Sequence, residues 1–227
     1  MKTKFGAIIV DGRGKIGGHV AAKNRAGSYL RTKVTPVNPK SPAQSAIRAR
    51  LSQLASAWRG LTSNQIAAWN KAVNDYSKTD IFGDVKNPTG FNLYQKLNNN
   101  LLRVGGAVIS NPPLPIAVPS FITFTAAQVH AGATTLTFTA TPVPAGVAVE
   151  ISATPPMSNG INFVKSEFRI VTTIAAAAVS PSIITLAYNT VFGAPGAAGQ
   201  KLYFKAKFIS LVTGQAGNPV QCSCMVS

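Results

Sequence analysis

"GGAVISNPPLPIAVPSFITFTA", residues 105–126, is where one sequence periodicity stops and another begins. Pro112, Pro113, Pro115 and Pro119 remove backbone donors and fix φ, so 109–119 reads as a stiff extended linker without an element of its own. Beyond it, β-branched and aromatic residues alternate or cluster between Gly, Pro, Asn and Ser: "SFITFTA", "TTLTFTATPV", "GVAVEISATP", "SEFRIVTTIA", "SIITLAYNTV", "QKLYFKAKFISLV" and "PVQCSCMVS". Seven such runs within 120–227 predict an all-β sandwich of immunoglobulin or fibronectin-III type, with Tyr203 on the sixth strand as its corner tyrosine.

Upstream of the prolines the pattern is helical, and 41–108 reads as a small helical module. Ser41, Pro42 and Gln44 supply an N-cap, a first-turn proline and a reciprocal acceptor for a helix whose apolar stripe is Ile47, Leu51, Leu54 and Trp58, closed by Gly60. Thr62 and Gln65 repeat the box for a second helix with stripe Ile66, Trp69, Val73 and Tyr76, and Leu61 staples against Ile66. The short connection predicts an antiparallel hairpin, with Trp58 and Trp69 packing its core rather than stacking on bases. A third helix over about Thr89–Val104 presents Phe91, Tyr94, Leu97 and Leu101.

Residues 1–40 lack helical periodicity and are interrupted by glycine and proline. They read as an extended basic arm with short β segments at Ala7–Val10 and Ser28–Val34. Fully stretched, such an arm reaches on the order of 130 Å, enough to cross a neighbouring subunit. Gly12, Gly14 and Gly17 spell G-x-G-x-x-G, but a dinucleotide site also needs a helix opening at the last glycine and an acid about 20 residues on. After Asp11 the next acid is Asp75, so the glycines are read as a hairpin turn.

Net charge is +16, and residues 1–59 hold twelve Lys and Arg against the single acid Asp11, a net +11. That concentration implies an acidic partner. The candidate contacts, to an acidic protein surface or to DNA phosphates, are Arg13, Lys15, Lys23, Arg25, Arg31, Lys33, Arg48 and Arg50.

Catalytic and metal chemistry find few residues. Two histidines, His19 and His130, and six dispersed acids supply neither a nucleophile with its base nor a paired-carboxylate spacing. Asp75, Asp80 and Asp84 do not follow a calcium-loop spacing, and Cys222 and Cys224 have no further ligand nearby and are too close for an unstrained mutual disulfide. The expectation is a protein that is not an enzyme, with no cofactor and no small-molecule substrate. The apolar run after Met1 is too short for a secretory leader, and Pro181 with several Thr and Ser interrupts 170–188, so no membrane association is expected.

The stretch from the G-x-x-G-G start at Gly14, through Arg31–Val34, "PVNP" at 36–39, "PAQ" at 42–44, Arg48, Trp58, "LT" at 61–62 and Trp69, resembles an amino-terminal module of small virion structural proteins of tailed bacteriophages and prophages of Bacteroidetes hosts, crAss-like phages among them. The resemblance covers about residues 14–75. It implies a virion protein assembled in the host cytoplasm, whose partners are further copies of itself, other virion proteins and packaged DNA. It carries over no catalytic residue. The rival expectation is a nucleic-acid-binding protein acting alone, its basic arm on phosphates.

Overall fold

The computed structural model describes residues 1–4, 6, 12–130, 132–139, 141–193 and 196–227. Among these the chain is mixed α+β, with four helices and four antiparallel sheets.

The amino-terminal segment folds back on itself instead of extending. Strands β1 (Lys2–Thr3), β2 (Gly14–Ile16), β3 (His19–Asn24) and β4 (Gly27–Thr32) form one sheet in the order β1-β4-β3-β2. Two tight turns make this possible. Ile16 pairs with His19 around Gly17-Gly18, and Asn24 pairs with Gly27 around Arg25-Ala26, with Gly17 and Gly27 both at positive φ. The expected arm is therefore corrected: among the described residues, 33–41, with Pro36 and Pro39, runs without regular structure into the first helix. The expected strand at Ala7–Val10 lies outside the described residues.

Helices α1 (Pro42–Arg59) and α2 (Ser63–Ala72) start on the predicted caps, and α3 (Gly90–Arg103) is capped by Thr89: Ser41, Thr62 and Thr89 accept from Gln44, Gln65 and Asn92 N–H groups, and Gln65 returns the bond to Thr62. A single 3₁₀ turn, Val73–Tyr76, continues α2, and a small hairpin of β5 (Lys78–Thr79) and β6 (Val85–Lys86) precedes α3. The packing differs from the expected two-helix hairpin, because α1 and α2 both pack on α3. Tyr94 of α3 explains why: its ring lies 5.2 Å from Trp58 and 5.3 Å from Trp69, so the two tryptophans clasp a third helix. Leu54, Trp69, Leu93, Tyr94 and Leu97 close this core. The outer end of the α1 stripe stays in solvent, with Ile47 56% and Leu51 40% exposed.

The carboxy-terminal half packs two sheets. One is ordered β11-β8-β7, from β7 (Thr123–Gln128), β8 (Thr134–Thr139) and β11 (Ser182–Ile183); the other is β10-β9-β12-β13, from β9 (Val147–Ala153), β10 (Arg169–Ile174), β12 (Lys201–Ser210) and β13 (Val220–Met225). A parallel bridge from Gln128 to Val226 joins their edges. Phe121, Phe124, Phe138, Val149, Ile151, Phe204 and Phe208 fill the space between. The fifth predicted strand is corrected: "SIITLAYNTV" gives two strand residues and then helix α4 (Thr185–Phe192). Ile184, Tyr188 and Phe192 recur every four residues, and that helical spacing turns them to the core while Leu186 points outward. Tyr203 is corrected as well. Its hydroxyl donates to Ile161 O and Asn162 Oδ1, in a distant loop, rather than to nearby upstream backbone.

The proline-rich 109–119 has no secondary structure but is bound from both sides. Trp69 Nε1 donates to Ser110 O and Tyr76 Oη to Pro113 O, while the Gln215 side chain bonds Leu114 O and Ile116 N. It acts as a strap across the junction of the helices and the sandwich.

Candidate anionic-partner surface

Strand pairing sorts the amino-terminal cations into two faces. In antiparallel strands directly paired residues share a face, and successive residues alternate. Lys15 pairs with Val20 and Val20 with Arg31; Lys2 pairs with Tyr29, two residues before Arg31. Lys2, Lys15, Tyr29 and Arg31 therefore lie on one face, with Lys15 and Arg31 two strands, or roughly 10 Å, apart. Lys33 follows one residue beyond β4, its N–H still bonded to Gly18 O. The other face carries Ile16, His19, Ala21 and Leu30, paired in register, and Lys23.

Three of the eight predicted contacts, Lys15, Arg31 and Lys33, are thus brought together, all exposed. Lys23 is on the opposite face, Arg25 is in the β3–β4 turn, and Arg13 precedes β2. Arg48 and Arg50 are on α1, where Arg48 is exposed and Arg50 Nη1 reaches Asn99 Oδ1 at 3.5 Å.

Two other amino-terminal lysines find carboxylates within the chain. Lys2 Nζ is 3.6 Å from Asp80, and Lys4 Nζ is 3.0 Å from Asp84, which Lys86 also approaches at 3.6 Å. These ion pairs tie the edge strand β1 to the loop of the β5–β6 hairpin. Burial raises the Asp80 carboxyl, but the N–H groups of Phe82 and Asp84 on its oxygens, with Lys2 and Lys86 nearby, outweigh that and hold it below its ordinary value. Among the described residues Lys15, Arg31 and Lys33 have no carboxylate partner, so the charge they share on one face is uncompensated.

A second polar site escapes a residue-by-residue reading. Glu150, 4% exposed in its side chain, sits on β9 opposite Lys207 of β12 and holds Lys207 Nζ at 3.1 Å and Arg103 Nη2 of α3 at 2.6 Å. This couples the helical layer to the sandwich. The only signal in the sequence is an acid placed inside the apolar run "VAVEISA".

Cys222 and Cys224, half-buried on β13, pack against the sandwich core, and burial pushes their thiols up to about 12 and about 11, with Cys224 adding to the effect on Cys222. His130 Nδ1 lies 3.1 Å from Gly196 O. No cluster of three or more His, Cys, Asp or Glu positioned for a metal occurs among the described residues, and no described helix is long and apolar enough to cross a membrane. Where the glycine motif would require a helix, His19–Asn24 is strand. Set beside protein-family models, curated proteins and solved structures, the chain matches none of them.

Proposed function

We propose that this chain is a multi-copy structural protein of a tailed-bacteriophage virion, placed in a head, neck or tail ring, assembled in the host cytoplasm and working by contact rather than catalysis. The observation that carries the reading is the sheet face on which Lys15, Arg31 and Lys33 have no carboxylate partner among the described residues, on a segment that adds little to either apolar core. Such a surface gains stability only when an acidic subunit face or packaged DNA is laid on it. The resembling stretch 14–75 contains three of this sheet's four strands, the proline-containing segment and the first two helices.

The sandwich fits the same reading as an immunoglobulin or fibronectin-III-like domain. Lettered in chain order, the three-stranded sheet is E-B-A and the four-stranded one C′-C-F-G, with the fourth strand beside C as in variable-type domains. Cryo-EM of particles made by the encoding genome tests the proposal: repeated copies in a ring or shell support it, and a freely diffusing monomer absent from particles overturns it. One observation favours a solitary nucleic-acid binder, namely Tyr29 on the Lys15 and Arg31 face as a base-stacking ring. That alternative requires the isolated chain to bind DNA with an affinity falling steeply as salt rises.

A further inference from the structure

A second basic site lies far along the chain from the amino-terminal sheet, in a cleft of about 540 Å³ where the helical layer meets the sandwich. Four lysines line it: Lys78 from β5, Lys96 from α3, and Lys205 with Lys207 from β12. Alternation along β12 directs Lys205 and Lys207 to one face. Glu150 is the single carboxylate in the lining, and it is already held by Lys207 and Arg103. Among the described residues Lys78, Lys96 and Lys205 have no carboxylate partner.

The lysines are also crowded. Burial in the cleft, then the charge of Lys78 and its close approach, lower the Lys96 amine from its ordinary value. Lys205 is steadied by the Phe168 ring, 5.7 Å from its Nζ, which also forms part of the wall. Like charges converging in a partly desolvated space oppose the fold unless an anion enters between them. A volume of this size suits a ligand no larger than a nucleotide.

We propose that this cleft binds a compact, multiply charged phosphate anion, of pyrophosphate to nucleotide size, held by Lys78, Lys96 and Lys205, with Lys207 kept in place by Glu150. The bound anion is a ligand and undergoes no reaction. It also bridges the helices and the sandwich, since its contacts come from both, and so stabilises the junction. The site is independent of the amino-terminal sheet and of the virion reading.

Isothermal titration calorimetry on the full chain, in a phosphate-free buffer of moderate salt, tests this with sodium pyrophosphate in one arm and a nucleoside diphosphate in the other. One-to-one binding of either supports the shared chemistry. Equal affinities identify the phosphates alone as the recognised group, and a tighter nucleoside diphosphate adds a base contact at Phe168. Lys96→Gln and Lys205→Gln should each weaken binding about tenfold, while Lys15→Gln leaves it within about twofold. Both cleft variants remove repulsion, so they should melt no lower than the parent; circular dichroism checks their fold. No saturable binding of either anion overturns the proposal, as does equal weakening by Lys15→Gln, the mark of diffuse attraction to a cationic protein.

Discussion

Gly214 occupies a position that no other residue fits. Its φ is +69°, and a Cβ built there would run into the Leu97 carbonyl of α3, while its own carbonyl accepts from Asn100 Nδ2 at 2.9 Å. Gly214→Ala should therefore cost about 2–4 kcal/mol, combining strained backbone with a forced separation of α3 from the sandwich, read by urea denaturation. The cysteines give a second prediction at this scale. Their thiols, ordinarily titrating near 9, are raised by burial, so above that value the unfolded chain releases protons that the folded chain retains. Stability should hold below about pH 9 and fall as pH climbs towards 12. Modification by a thiol reagent at pH 8 should be slow in the folded chain and fast in urea; equal rates would contradict the burial. Neither effect was legible beforehand, because "TGQAG" and "CSC" do not reveal what lies across from them.

At the level of elements, what could be read followed from local chemistry. Ser41 and Thr62 act through atoms three residues away, so their caps were visible in the sequence and are found in place. Packing partners were not. The stripe on α1 was legible, but that α3 takes both tryptophans, leaving Ile47 exposed, depends on a helix 30 residues on. The β-rich composition of "SIITLAYNTV" hid α4, whose four-residue spacing of Ile184, Tyr188 and Phe192 was the competing signal. The amino-terminal sheet shows the same limit: Gly17 lies in a turn the glycine motif marked, but the Asn24–Gly27 turn was not read, and the sheet's attachment rests on Asp80 and Asp84, distant in sequence. Asp80→Asn should loosen that attachment, giving faster amide exchange in β4 with little change in the sandwich. Acid should act likewise, because a carboxylate held below its ordinary 3.8 contributes above that pH and loses its contribution as pH falls through its lowered value.

Across the whole molecule, charge is divided unevenly. Glu150 and Asp80 are buried and used to join parts of the chain, which leaves a cationic excess on two surfaces, the sheet face and the cleft below α3. Composition revealed the first through the +11 of residues 1–59 and missed the second, because its lysines come from three elements and meet only after folding. The strap at 109–119 fixes how helices and sandwich meet, while the amino-terminal sheet is tied to the helical module through Lys2–Asp80 and Lys4–Asp84. Whether the sheet face is an assembly contact can be read by covalent lysine labelling with mass spectrometry, on the free chain and on intact particles. Lys15 and Lys33 should be reactive in the free chain and protected at least about tenfold in particles, with exposed Lys165 serving as the reference for a lysine outside the contact. Equal labelling of Lys15 and Lys33 in both states, with the protein present in the particle, would contradict it.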